Sequence, residues 1–233
     1  MGGSENLIPS GDQELSGLVE PVRARFLARY EAREGAYAKS RETIRAAANA
    51  IRAIHRGEHE RAHELITVSR TALDQALDVA RPHPEVLYGG FIQDAAKEYA
   101  EARLTAAAIA RESWPDPAEL GLDDAPWLHG LAEAVGELRR RCLDLIRAED
   151  LDEAERVLQV MDEVLACLVT IDVPDALTRG LRRATDGARA VTERTRGDLT
   201  AALGQRRLRE ALDAHRTALL RTVPEVVNEA GCS

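Results

Sequence analysis

The sequence predicts an all-α, single-domain bundle, and three observations carry that expectation. Ala, Leu, Glu and Arg dominate, while aromatic residues make up only 3% of the 233 positions. Apolar residues recur at three- and four-residue spacing along most of the chain, and few segments alternate with period two. Proline keeps to the edges of the N-terminal third, to connections and to the tail. A chain of this length buries a substantial core without staples. No apolar run approaches the ~20 residues that span a bilayer, so no membrane partner is expected. No signal-peptide pattern is present at Met1, and Cys142, Cys167 and Cys232 form an odd set without C-x-x-C spacing. Neither a disulfide frame nor a zinc site is supported, and the cytoplasm is the expected compartment.

Residues 1–17 are polar and carry Gly and Ser, which predicts a flexible segment before a helical domain over 18–222 and a tail over 223–233. The first helix is expected from about Gly17 to Arg56, with an apolar stripe of Ile44, Ala47, Ala48, Ile51 and Ile54. Arg41, Arg45, Arg52 and Arg56 run beside it, and Gly57 ends the helix. His55, His59 and His63 would chelate a transition metal on one straight helix, but Gly57 interrupts them, and a polar helix end is the plainer reading. The second helix covers about His59 to Arg81. Pro82 and Pro84 force a stop and restart, and the third is expected from Pro84 to about Ser113. Trp114 to Pro126 reads as a connection, with a short turn at Pro117–Leu120. Helices then follow over about Pro126–Ala148, Leu151–Thr170, from Pro174 onward, and Thr200–Arg221.

The net charge of −9 hides a strong asymmetry. Residues 21–61 carry 10 Lys/Arg against 5 Asp/Glu, residues 62–178 carry 10 against 24, and residues 179–209 carry 9 against 3. Basic ends bracket an acidic middle, and local fields rather than totals attract phosphate. Within the acidic middle, Glu98 and Glu101 stand three apart, and Glu133 and Glu137 four apart. Such pairs share one helix side, where like charges cost an isolated helix ~0.2–0.5 kcal/mol. Gly130 precedes the second pair, Gly136 lies within it, and both leave room for close backbone approach. Four carboxylates on two facing helices would make a hard-oxygen site suited to Mg²⁺ or Mn²⁺. There is no Ser/His/Asp order and no phosphate-cradling Gly loop. Asp94 and His129 are candidates to support the carboxylates. The plainer alternative keeps the glutamates as surface or ion-paired residues, and the arginines as solvated charge.

These residues resemble a known family. Lys39-Ser40-Arg41-Glu42, with a helix closing on His55-Arg56, is similar to the opening of the translin family, and more closely to its translin-associated factor X branch. Glu98-Tyr99-Ala100-Glu101-Ala102 resembles that branch's Glu-Tyr-Val-Glu-Ala. Leu128-His129-Gly130 through Gly136-Glu137-Leu138 resembles its Leu-Leu-Gly…Gly-Glu-Leu helix, with Cys142 also matching. Glu149-Asp150-Leu151 and Arg196-Gly197 fit too, so the likeness covers about residues 30–200.

The resemblance implies about seven helices in one bundle, assembled as an oligomer, often an octamer, that encloses nucleic acid. For the factor X branch it implies a divalent-metal-dependent endoribonuclease, whose catalytic and metal-binding carboxylates fall on Glu98, Glu101, Glu133 and Glu137. Where that family usually has Asp, Glu133 is one methylene longer, a shift of roughly 1.5 Å. Pro126 also replaces an Asp of the pattern. Lys39, Arg41, Arg45, Arg52 and Arg56 would contact phosphates, positioning RNA rather than reading its sequence. Water attack would leave 5′-phosphate and 3′-hydroxyl ends. The alternative is a non-catalytic oligomer binding single-stranded RNA or DNA, as in the translin branch proper. A helical scaffold with no nucleic-acid partner is a third option.

Overall fold

The computed structural model describes residues 11–222, which form eight helices and no strand among them. They are α1 (Gly11–His55), α2 (His59–Ala80), α3 (Pro84–Leu87), α4 (Gly90–Ala110), α5 (Asp124–Arg147), α6 (Leu151–Val169), α7 (Asp175–Thr178) and α8 (Leu181–Thr222). The expected all-α class holds. Residues 1–10, the tail over 223–233 and Cys232 lie outside the described residues.

Several expected boundaries move, each for a local reason. Residues 11–17, expected in the N-terminal segment, form the first turns of α1. The helix expected from Pro84 to Ser113 is two helices, α3 and α4, broken at Tyr88–Gly89. Gly89 has extended dihedrals there, and a Cβ on it would stand 2.9 Å from the Val86 carbonyl oxygen. The C-terminal region also differs. A four-residue α7 ends at Arg179 and Gly180, both at positive φ, and α8 then runs unbroken through the expected boundary near Thr200. Gly197 and Gly204 sit inside α8 in open space, where glycine weakens a helix without ending it.

The packing falls into two halves that share α4. In one, α1 and α2 form an antiparallel hairpin through a turn at Gly57 (φ +73°), and α4 lies against both. Ala47, Ala50, Ile51, Ile66, Leu73, Ala95, Ala96, Tyr99 and Ala102 fill that core. In the other, α5, α6 and α8 surround Val135, Leu138, Cys142, Val157, Met161 and Leu168, joined by Ala100 and Leu104 of α4. An α4 that serves both cores must be apolar nearly all round. Its polar positions Glu98 and Glu101 are therefore placed beside buried surface, not on an open face.

Alanine dominates α4, and small side chains let neighbouring backbones come close. The contact is tightest at Gly130 of α5, where a Cβ would lie 2.6 Å from Ala100 Cβ, 2.8 Å from the Glu101 nitrogen and 2.9 Å from the Lys97 oxygen. Gly136 has nothing within 4 Å. Of the two glycines expected to permit close approach, Gly130 alone does so within this chain.

Candidate metal centre

The crossing of α4 and α5 at Gly130 sets the two acidic pairs against each other. Oxygens of Glu98, Glu101 and Glu133 all lie within 4.8 Å of one another. The longer arm of Glu133 does not take its carboxylate out of this group. Glu101 is buried, 8% exposed, and Glu98 and Glu133 are partly so. Burial, followed by the charges of Glu98, Glu133 and Glu137, pushes the Glu101 carboxyl up to about 8. Burial also raises Glu98, with Glu133 adding to the effect and Lys97 opposing it. At neutral pH this cluster holds a proton and an ammonium in place of further positive charge.

The ammonium belongs to Lys97, one residue before the first acid. Its Nζ lies 2.8 Å from Glu133 Oε1 and 3.4 Å from Glu98 Oε1. Burial alone would lower this lysine, but the Glu133 hydrogen bond and charge, with Glu98, hold it above its ordinary value. Lys97 was not singled out by sequence reasoning, because its partner is 36 residues away on another helix.

Glu137, the fourth expected carboxylate, borders the group but has its own partner. His55 Nε2 is 2.5 Å from Glu137 Oε2, and the imidazole is 2% exposed. This hydrogen bond, against a smaller opposing effect of burial, holds the Glu137 carboxyl below its usual range. His55 Nδ1 is buried without a partner. The histidine expected at a polar helix end thus closes the floor of the acidic site from α1.

The remaining histidines go elsewhere. The Gly57 turn takes His59 and His63 onto α2, so the three never share one helix. His59-Glu60-Arg61-Ala62-His63 does have H-E-x-x-H spacing, which sequence reasoning passed over. Both histidines are exposed at the start of α2, and no third ligand joins them among the described residues. His129 Nε2 is 2.8 Å from the Thr178 carbonyl, so it braces α7 and does not support the carboxylates. Asp94 is exposed and acts on Glu98 through its charge.

Of the five expected phosphate contacts, the four arginines lie along one exposed side of α1. Arg52 stands one turn before His55 and roughly 60° round the helix from it. Arg52 donates to Asn49 Oδ1 (2.7 Å) and Arg56 to Glu58 (2.6 Å), while Arg41 and Arg45 have no partner among the described residues. Lys39 is roughly 160° round from Arg41 and pairs with Glu42 at 2.9 Å, apart from the stripe.

The donor set is all-oxygen, partly desolvated and carried on rigid helices, which suits a hard divalent cation. Three proteins of known structure or sequence bear on what such a chain is. AfC3PO, solved alone and in a complex with duplex RNA, superposes with a TM-score of 0.75 at 33% identity. The match covers 81% of this chain and 97–98% of AfC3PO. Apo-NeC3PO matches in fold at a TM-score of 0.72, with 16% identity, over 86% of this chain and all of its own length. An uncharacterised protein of Methanocaldococcus jannaschii is 29% identical over 176 residues, 74% of this chain and 77% of that protein. No protein-family model matches the sequence. The extent and identity of the AfC3PO match place this all-helical chain in the C3PO/translin family.

Proposed function

We propose that this protein is a divalent-metal-dependent endoribonuclease of the factor X-like kind, working in the cytoplasm as a homo-oligomer, an octamer, that encloses RNA. The observation that carries the reading is the convergence of Glu98, Glu101 and Glu133 within 4.8 Å at a backbone crossing. Those three residues would hold Mg²⁺ or Mn²⁺, with Glu137 bordering the site. The bound ion would supply charge stabilisation at a phosphate and a water of lowered pKa.

The chain's own groups have separate tasks. Glu101, buried and facing the charges of Glu98, Glu133 and Glu137, is pushed up to about 8 and would give up its proton at neutral pH when a cation joins it. His55 fixes the orientation of Glu137. Arg41, Arg45, Arg52 and Arg56 hold the RNA backbone next to the site without reading bases. AfC3PO's complex with duplex RNA supports RNA as the partner. Single-stranded DNA would use the same phosphate contacts.

Assembly is supported by apolar surface that the described residues leave exposed. Leu15, Leu18, Val22, Phe26 and Tyr30 are 40–68% exposed along the first half of α1. Leu208 and Leu212 are similarly exposed on the C-terminal half of α8. Stripes at this spacing are buried by partner helices.

The test is a cleavage assay on single-stranded RNA in Mg²⁺ and in EDTA, with Glu133→Ala alongside. Cutting in Mg²⁺ alone is expected, and the variant should bind RNA without cutting. A variant that cuts at the normal rate ends the proposal. RNA binding with no metal-dependent cutting by the wild type supports the non-catalytic reading.

A further inference from the structure

Lys97 stands where the acidic cluster needs positive charge. Its ammonium touches two of the three clustered carboxylates, from Glu133 on α5 (2.8 Å) and from Glu98 on its own helix (3.4 Å). Among the described residues, no other Lys or Arg forms an ion pair with these three acids. The side chain is 22% exposed, so one side of it is open to solvent. Its own backbone oxygen is one of the three atoms packed against Gly130, which fixes the root of the side chain. A flexible four-carbon stem then leaves the head free to move.

We propose that Lys97 is a displaceable internal counterion: it neutralises the carboxylate site without metal and competes with the divalent cation for Glu133 and Glu98. This rests on the metal reading above. A metal ligated by Glu98, Glu101 and Glu133 needs two of the carboxylates that Lys97 now contacts. Two cations a few ångströms apart in a partly desolvated site repel strongly, so the ammonium swings outward as the metal enters. Outward means toward the open side, where an RNA phosphate would approach. The lysine therefore exchanges a carboxylate partner for a phosphate one, and metal loading and RNA binding reinforce each other.

The experiment measures Mn²⁺ affinity calorimetrically for wild type, Lys97→Gln and Lys97→Arg, without RNA. Removing the competing charge should tighten Mn²⁺ binding by ~10-fold or more, in the range seen for changes just outside a metal's ligands. Arginine, whose planar fork engages two carboxylates together, should weaken it. Thermal unfolding in EDTA gives a second readout. Lys97→Gln should lower the metal-free transition, and the loss should vanish in the Glu133→Gln background. Equal or weaker Mn²⁺ binding by Lys97→Gln overturns the counterion proposal while leaving the metal site intact. Absence of Mn²⁺ binding in all three proteins overturns both. If Lys97→Gln folds only with Mn²⁺, its metal-dependent refolding at lower Mn²⁺ than wild type needs for loading supports the proposal, and a higher requirement overturns it.

Discussion

Gly130→Ala tests whether the helix crossing makes the site. The added Cβ would meet Ala100 Cβ at 2.6 Å, the Glu101 nitrogen at 2.8 Å and the Lys97 oxygen at 2.9 Å. Carbon atoms rest at about 3.5–4.0 Å, so α4 and α5 must part by about 1 Å. Two of the three obstacles are backbone atoms and cannot rotate away. Overpacking of this kind costs about 1–3 kcal/mol, and the better helix propensity of Ala returns up to about 1 kcal/mol. With that return in full the net loss is up to about 2 kcal/mol, a fall in Tm of up to about 8 °C for a chain of this size. The same displacement separates Glu133 from Glu98 and Glu101, and 1 Å at a reacting centre costs about 10²-fold in rate. Gly136→Ala is the matched control. It lies on the same helix in open space and should raise stability by about 1 kcal/mol with activity unchanged. Melting curves, Mn²⁺ affinity and RNA cleavage on both variants decide the matter. Gly130→Ala with wild-type Tm and metal affinity would refute the claim that this contact sets the carboxylate geometry.

Two further outcomes follow from the pairs around the cluster. Glu137 is depressed in the folded protein, so the stability it contributes is present above its unfolded pKa and lost as pH falls through its folded value. His55→Leu should remove that acid-side loss and cost about 1–3 kcal/mol at neutral pH, because a half-buried carboxylate is left without its donor. Urea unfolding between pH 3 and 7 reads both, and an unchanged profile would show the pair to be inert. Arg41→Ala with Arg45→Ala should weaken RNA binding and lower the slope of log affinity against log salt by about 1–2, while leaving cleavage of bound RNA intact. A full salt slope in the double variant would remove these two residues from the phosphate-contact surface.

The fold class and the acidic pairs were legible because both are local. A helix repeats every 3.6 residues, so Glu98/Glu101 and Glu133/Glu137 declare their shared sides without any knowledge of packing. What the sequence hid is pairwise and distant. Lys97 reads as one more charge on α4 until Glu133, 36 positions on, reaches it. His55 reads as a frayed helix end until Glu137, 82 positions on, meets it. A glycine does not by itself declare a helix boundary. The Gly89-Gly90 pair breaks α3 from α4 through the close Val86 carbonyl, while Gly197 and Gly204 leave α8 whole. A glycine's consequence depends on what stands where its Cβ would be, and that is a tertiary fact. Arg179-Gly180 was the better stop signal, because both residues adopt left-handed dihedrals that end α7.

The acidic cluster also sets function against stability, in a way Glu101 can expose. Its carboxyl, pushed up to about 8 in the folded chain, lies above the ordinary glutamate value of 4.5, so between those values the folded chain keeps a proton that the unfolded chain has released. The folded state binds more protons there, and stability without metal falls as pH rises through the window, by up to about 1.4 kcal/mol per unit. A divalent cation reverses the sign of the local field, so loading should abolish this slope and metal affinity should climb with pH to about 8. Glu101→Gln removes the titrating group but keeps the shape. It should be more stable than wild type at pH 8 in EDTA and less stable than wild type with saturating Mn²⁺. Crossing stability curves of that kind arise when a buried acid is retained for its ligand rather than for the fold. Urea midpoints at pH 5 to 8.5, with and without Mn²⁺, would show the crossing. If Glu101→Gln is the less stable protein in EDTA at pH 8, Glu101 contributes to packing or hydrogen bonding of the fold, and the metal-centre reading loses its innermost ligand.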